Sequence, residues 1–277
     1  MGSPPRMRLA RDMALVVAAL ALCPLAAALA PAEAPLGTTH ALVDAERALG
    51  LFFEPAVHAW VADRPALLTV AGLFYVWVHL PATIGALVWV RLERPHAFPV
   101  ARDTFLATQA ITVAGYVLVP VAPPRMLPEH GFTDTLAVVY GSGAEQLAHS
   151  VQSPYAAMPS GHVAFAVVAA GAVFALVRAR TLRAAAVLYV VLVVAVIVAT
   201  ANHLWLDAAG GVAAAALGAL AVRARTAAIR VPATPRTRGD DGDFSRTRVT
   251  GGRDRRRPWR PRRGLAAAGP RLRRHGP

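Results

Sequence analysis

The chain has no lysine, and all 29 of its basic residues are arginine, which we read as a base-composition bias and not a functional choice. It has a single cysteine, Cys23, inside an apolar run, so an internal disulfide is excluded. Charge is scarce as well. Only 16% of residues are Asp, Glu, Lys or Arg, where a soluble domain carries about 25%, so an ordinary soluble domain is excluded. In their place stands a 56% hydrophobic composition, arranged in uncharged windows that meet or approach the roughly 20 residues needed to cross a hydrocarbon core.

The expected fold is all-α, a polytopic membrane helix bundle of about six transmembrane helices near 13–30, 66–90, 104–122, 162–177, 183–201 and 205–222. The first span reads as a signal anchor. A cleaved signal peptide is the alternative, with Arg6, Arg8 and Arg11 as its basic start and Ala28-Leu29-Ala30 as its cleavage site. Residues 1–49 form the anchor and the start of an outer loop, 50–222 the membrane-embedded domain, and 223–277 a disordered basic cytoplasmic tail. The loop at 31–65 is expected to hold a short amphipathic helix around Ala45–His58. The loop at 123–161 is the longest between later spans, and loops of that length are usually functional.

The net charge of +13 belongs wholly to the tail: residues 1–222 hold 12 Arg and 12 acidic residues, and 223–277 hold 17 Arg and 4 Asp. Cytoplasmic loops carry the arginine excess. Placing the N-terminus, the 91–103 and 178–183 loops and the tail on one side collects 26 arginines there and leaves Arg47, Arg64 and Arg125 on the other. Both termini are then cytoplasmic if the first span is retained, and the protein is expected in the cell membrane. The tail would meet anionic lipid; nucleic acid is not an expected partner, and oligomeric state is left open.

This orientation puts three polar clusters on the extracytoplasmic face: Val121-Ala122-Pro123-Pro124-Arg125, Met158-Pro159-Ser160-Gly161-His162 and Asn202-His203-Leu204-Trp205-Leu206-Asp207. Each suits a phosphoryl group. Ser160 and Gly161 precede a helix, whose unpaired N–H groups and positive dipole end attract an anion. His162 beside them is placed to donate a proton to a leaving oxygen. His203 and Asp207 are four apart and share a helix face, so the carboxylate can orient the imidazole and leave its other nitrogen as nucleophile. Arg125 is a planar cation able to grip phosphate oxygens in pairs.

Pro159-Ser160-Gly161-His162 and His203-x-x-x-Asp207 together resemble the type 2 phosphatidic acid phosphatase superfamily. Ala122-Pro-Pro-Arg-Met-Leu-Pro128 with Gly131-Phe132-Thr133-Asp134-Thr135 is similar to its branch related to inositol phosphorylceramide synthases. The resemblance covers about 50–222 and implies a lipid-phosphate phosphatase or headgroup phosphotransferase acting through a phosphohistidine. It also shows departures: Ile197 and Leu118 stand where the superfamily usually has Arg and Lys, and Gly161 is the phosphatase-like choice where the synthase branch often has Leu.

Bland readings compete residue by residue. Ser160 alone is a common helix N-cap, Arg125 could snorkel to headgroups, and Glu54, His58, Tyr75 and His79 suit helix packing better than a cleft. An intramembrane serine protease using Ser160 and His203 leaves His162, Asp207 and Arg125 without a role. A metal hydrolase using the outer histidines with Glu129, Asp134 or Glu145 lacks zinc-like ligand spacing, and His130 and His149 in the long loop read as solvated rather than as ligands. No cofactor and no metal are expected. A non-enzymatic membrane protein would account for the tail and not for the three outer clusters.

Overall fold

The structure is a computed structural model, and it describes residues 5–23, 28–29, 33–141 and 154–230. Among these residues there is no β-strand, only an isolated bridge between Val121 and Ala156. The helices are α1 (Pro5–Leu20), α2 (Leu36–Ala48), α3 (Glu54–Ala62), α4 (Pro65–Leu73), α5 (His79–Glu93), α6 (Phe98–Leu118), α7 (Thr135–Tyr140), α8 (Gly161–Leu176), α9 (Arg180–Ala199) and α10 (Trp205–Arg230). The arginine-rich tail beyond residue 230 lies outside the described residues.

The fold is a membrane helix bundle. Three columns are long and apolar enough to cross a bilayer: Pro65–Glu93, Arg180–Ala199 and Trp205–Ala228, while Gly161–Leu176 is apolar but shorter. The first column holds 29 residues, about 43 Å at 1.5 Å per residue. It joins α4 to α5 through a π-helical turn, Phe74–Val78. Pro81 has no N–H to give the carbonyl of Trp77, and the widened turn lies directly upstream of it. Large side chains such as Val70, Trp77, Leu188, Val191 and Leu220 are exposed on the bundle's outside, the arrangement expected where the surroundings are lipid.

The central helix is α8, packed against α5, α6, α9 and α10, with Val163, Ala164, Ala166, Val168, Ala169 and Ala170 buried. In lipid, helices associate through close packing and not through exclusion of water, so small residues at the contacts decide how near they come. Gly211 shows this at the site: a methyl group there would collide with the Ser160 carbonyl. Helix α1 belongs to the same core, with Val16 and Ala19 against Leu87, Phe98, Phe105 and Phe165. Asp12 ties it down by ion pairs to Arg91 (3.1 Å) and Arg102 (2.9 Å).

The amphipathic helix expected around Ala45–His58 is two helices, α2 and α3, broken where Gly50 takes a left-handed φ of 69°. A small cluster joins α2 to the turns at 127–132 and 201–204: Val43, Leu127, Phe132, Ala201 and Leu204 are all buried. These helices clamp the outer turns. Thr39 Oγ1 accepts the Ala122 N–H (3.0 Å) and lies 3.2 Å from the Ala122 carbonyl, and His58 bridges the Ala199 carbonyl (3.0 Å) and Thr133 Oγ1 (2.9 Å).

Candidate active site

His203 lies on the turn between α9 and α10 and is 3% exposed. Its backbone N–H and that of Asn202 both reach the Ile197 carbonyl, closing the end of α9. The ring is held at Nδ1, which is 2.8 Å from the Ala157 carbonyl and 3.6 Å from Asp207 Oδ2. Two acceptors on one nitrogen require Nδ1 to carry the proton, so Nε2 presents its lone pair. The nearer acceptor is a backbone carbonyl, which carries no side-chain signature. Asp207 Oδ2 also accepts the Leu204 N–H at 2.9 Å, so the carboxylate caps the start of α10 while it faces the imidazole.

Ser160 is the N-cap of α8, its Oγ accepting the Val163 N–H at 3.4 Å. The capping role weighed for it is therefore real, and it coexists with the site. Its own N–H goes to the Asp207 carbonyl (2.9 Å), which binds the second polar cluster directly to the third. Gly161 opens α8 against Tyr116, whose hydroxyl lies 2.6 Å from where a Cβ would stand. His162 follows, and its ring centroid is 5.8 Å from that of His203 in an edge-on arrangement.

Arg125 is 9% exposed and sits in the short 3₁₀ turn Pro124–Met126. It is not extended toward headgroups. Its NH1 donates to Asn202 Oδ1 (2.8 Å), its backbone N–H donates to the Ala201 carbonyl (2.8 Å), and Nε is 3.6 Å from Asp134. The guanidinium is thereby fixed against the residues immediately before His203, and Nε makes no hydrogen bond. Arg125, Ser160, Gly161, His162, His203 and Asp207 come from three separated stretches and converge on one end of the bundle.

Two residues weighed as packing groups join them. Tyr75 stacks on His162 at 4.2 Å and 16°, and the His79 ring is 4.7 Å from it. His79 Nδ1 pairs with Tyr189 (3.2 Å), while Nε2 is buried with no partner. The hint was the π turn: it sets Tyr75 and His79 on one side of the column, and such turns are frequent at functional sites. Glu54, also weighed as a packing group, and Glu46, which was not singled out, reach the turn that follows His203. Glu54 Oε1 accepts the Trp205 N–H (2.9 Å) and Glu46 Oε1 the Leu206 N–H (3.0 Å), both in the first turn of α10.

Ile197 is buried among Val163, Val193, Val198 and Ala208, and Leu118 is 78% exposed at the end of α6. Neither position offers a cation to the site. On the outer surface, His40, Glu129 and His130 bring ligand atoms within 4.8 Å of one another. Arg47 lies 3.0 Å from His130 Nδ1, so a permanent cation already occupies that cluster and opposes a second. His149 and Glu145 lie outside the described residues.

An all-helical bundle with two histidines, a buried aspartate and an arginine at one end defines a class of membrane phosphatases and phosphotransferases. The chain belongs to it: residues 40–221 match the PAP2 superfamily. It is similar to the phosphoinositol dihydroceramide synthase of Bacteroides thetaiotaomicron, at 34% identity over 129 residues, 41% of this chain and 40% of that protein. The match thus spans about two fifths of that relative's length. No solved structure matches the chain.

Proposed function

We propose that the protein is an integral membrane enzyme that moves a phosphoryl or phosphoalcohol group of a lipid phosphate through a phosphohistidine at the extracytoplasmic face. The observation that carries this is the state of His203: its Nδ1 is held at 2.8 Å by a backbone carbonyl, its ring lies 5.8 Å from His162, and both adjoin the N-terminus of α8. Nε2 of His203 attacks phosphorus. The bond to the lipid oxygen breaks, and the proton on His162 goes to that leaving oxygen. In the second half an acceptor hydroxyl gives its proton back to His162 and attacks phosphorus, and the N–P bond breaks to restore Nε2. Arg125 and the first N–H groups of α8 hold the non-bridging oxygens, and Asp207 offsets the positive charge of the phosphorylated ring.

Water as acceptor makes the enzyme a phosphatase, and an alcohol makes it a transferase. The similarity to a phosphoinositol dihydroceramide synthase favours the second reading, a headgroup phosphotransferase of the inositol type. The arginine distribution supports the outward orientation. The packing of α1 through Asp12 supports a retained anchor, and with it the reading of a cell-membrane protein with both termini in the cytoplasm. The tail then faces anionic lipid, where each basic residue near the surface contributes about 1 kcal/mol.

The test is phosphoenzyme from purified protein in detergent, quenched in alkaline detergent so that an acid-labile adduct survives, given a panel of lipid phosphates with and without polyol and ceramide-like acceptors. Wild type should accumulate an acid-labile, base-stable phosphoramidate and His203→Ala should not. His162→Ala should fail on an alkyl phosphate yet keep part of its phosphorylation rate on a nitrophenyl phosphate, whose leaving group needs no proton. Trapping in His203→Ala, or loss of trapping only in Ser160→Ala, would overturn the assignment.

A further inference from the structure

Glu46 and Glu54 are both fully buried. Each gives one oxygen to a backbone N–H of consecutive residues, Leu206 and Trp205, and each has its second oxygen buried with no donor. Accepting from the N–H groups of consecutive residues, the two carboxyls stand side by side at the start of α10. Two ionised carboxylates cannot satisfy that contact, because all four oxygens accept and none donates. One proton held by the pair turns one carboxyl into a donor and removes one of the two charges.

No cation offers an alternative among the described groups. The acidic groups that act on Glu46 are Glu54 and Asp207. Arg125, on the outer turn packed nearby, is engaged by Asn202 and Asp134, and Arg47, on α2 itself, by His130 and Asp44. His203 is held at Nδ1 by Ala157, and His58, one turn from Glu54 on α3, is held between the Ala199 carbonyl and Thr133 Oγ1. With Asp207 capping Leu204, three carboxyl groups close the first turn of α10, which begins two residues after His203.

We propose that Glu46 and Glu54 share one proton and act as positioning residues, clamping Leu204–Leu206 from the outer helices so that His203 stays aligned. The catalytic part rests on the phosphohistidine reading; the shared proton does not. Burial pushes the Glu46 carboxyl up to about 8, the neighbouring negative charge of Glu54 adds to the rise, and the Leu206 N–H opposes it. The folded state therefore holds a proton that the unfolded chain releases near 4.5. The dyad's contribution to stability is complete below that value and is lost as pH rises toward 8. Above it two charges face Asp207, the turn loosens, and kcat falls with KM unmoved.

Infrared difference spectra of the full-length protein in detergent, recorded between about pH 7 and 9 where ordinary carboxylates are already ionised, read the proton directly. Wild type and His203→Ala should both lose one protonated-carboxyl band in that range, and Glu46→Gln should not. In turnover assays Glu46→Gln should keep near-wild-type kcat, because its amide still accepts from Leu206 and donates to Glu54, and should lose the alkaline limb. Glu46→Ala should lower kcat about 10- to 100-fold. Absence of the titrating band in wild type, or an unchanged alkaline limb in Glu46→Gln, would overturn the dyad. A band present in a protein that never phosphorylates His203 would leave the dyad standing and remove the mechanism.

Discussion

Asp207→Asn isolates charge from geometry at the proposed nucleophile, His203. Asp207 has two separable jobs: Oδ2 accepts the Leu204 N–H at 2.9 Å, and it stands 3.6 Å from His203 Nδ1. An asparagine oxygen can keep the first and cannot supply the negative charge of the second. At an effective dielectric of 20, two unit charges about 4 Å apart interact by roughly 4 kcal/mol, an upper figure for what the phosphorylated imidazolium gains. The Ala157 carbonyl at 2.8 Å keeps the Nδ1 proton in place, so the tautomer is not lost with the charge. The expected fall in single-turnover phosphorylation is about 10²–10³-fold, equivalent to 2.7–4 kcal/mol of barrier, with little change in melting temperature in detergent. Asp207→Ala should add the loss of a cap, about 1 kcal/mol of stability. Rapid-quench measurement of phosphoenzyme formation checks this. An Asp207→Asn rate equal to wild type, or as low as that of His203→Ala, would refute the division of roles.

Gly211→Ala should destabilise the bundle by about 1–3 kcal/mol, because the new methyl meets the Ser160 carbonyl; thermal unfolding in detergent reads it, and an unchanged midpoint contradicts the packing. Turnover should survive chelation, since the proposed nucleophile is an imidazole; loss in EDTA with recovery on zinc or magnesium would transfer the chemistry to a metal. Orientation is tested in a Cys23→Ser background: Leu49→Cys, at an exposed site between α2 and α3, should react with a membrane-impermeant thiol reagent in intact cells, and Ala179→Cys only after lysis. The opposite pattern would put the site in the cytoplasm.

What could be read from the sequence was what lies close together along the chain. The apolar columns, Ser160 ahead of a helix and the four-residue spacing of His203 and Asp207 are local patterns, and α8, α9 and α10 start or end within a few residues of the expected positions. What escaped were contacts between distant segments made through the backbone. Ala157 holds His203 with a carbonyl that any residue would have. Glu46 lay in a stretch expected to be a surface amphipathic helix and Glu54 was weighed as a packing group, because nothing there reveals that Leu206 and Trp205 will offer two N–H groups. Their role follows from helix termini in general. The first N–H groups of α10 have no partner within the helix, and this turn is buried, so acceptors had to come from elsewhere in the chain. A buried helix-starting turn therefore calls for acceptors from elsewhere in the chain before any coordinates are known. The buried acids in the loop before the second span are the place to look for them.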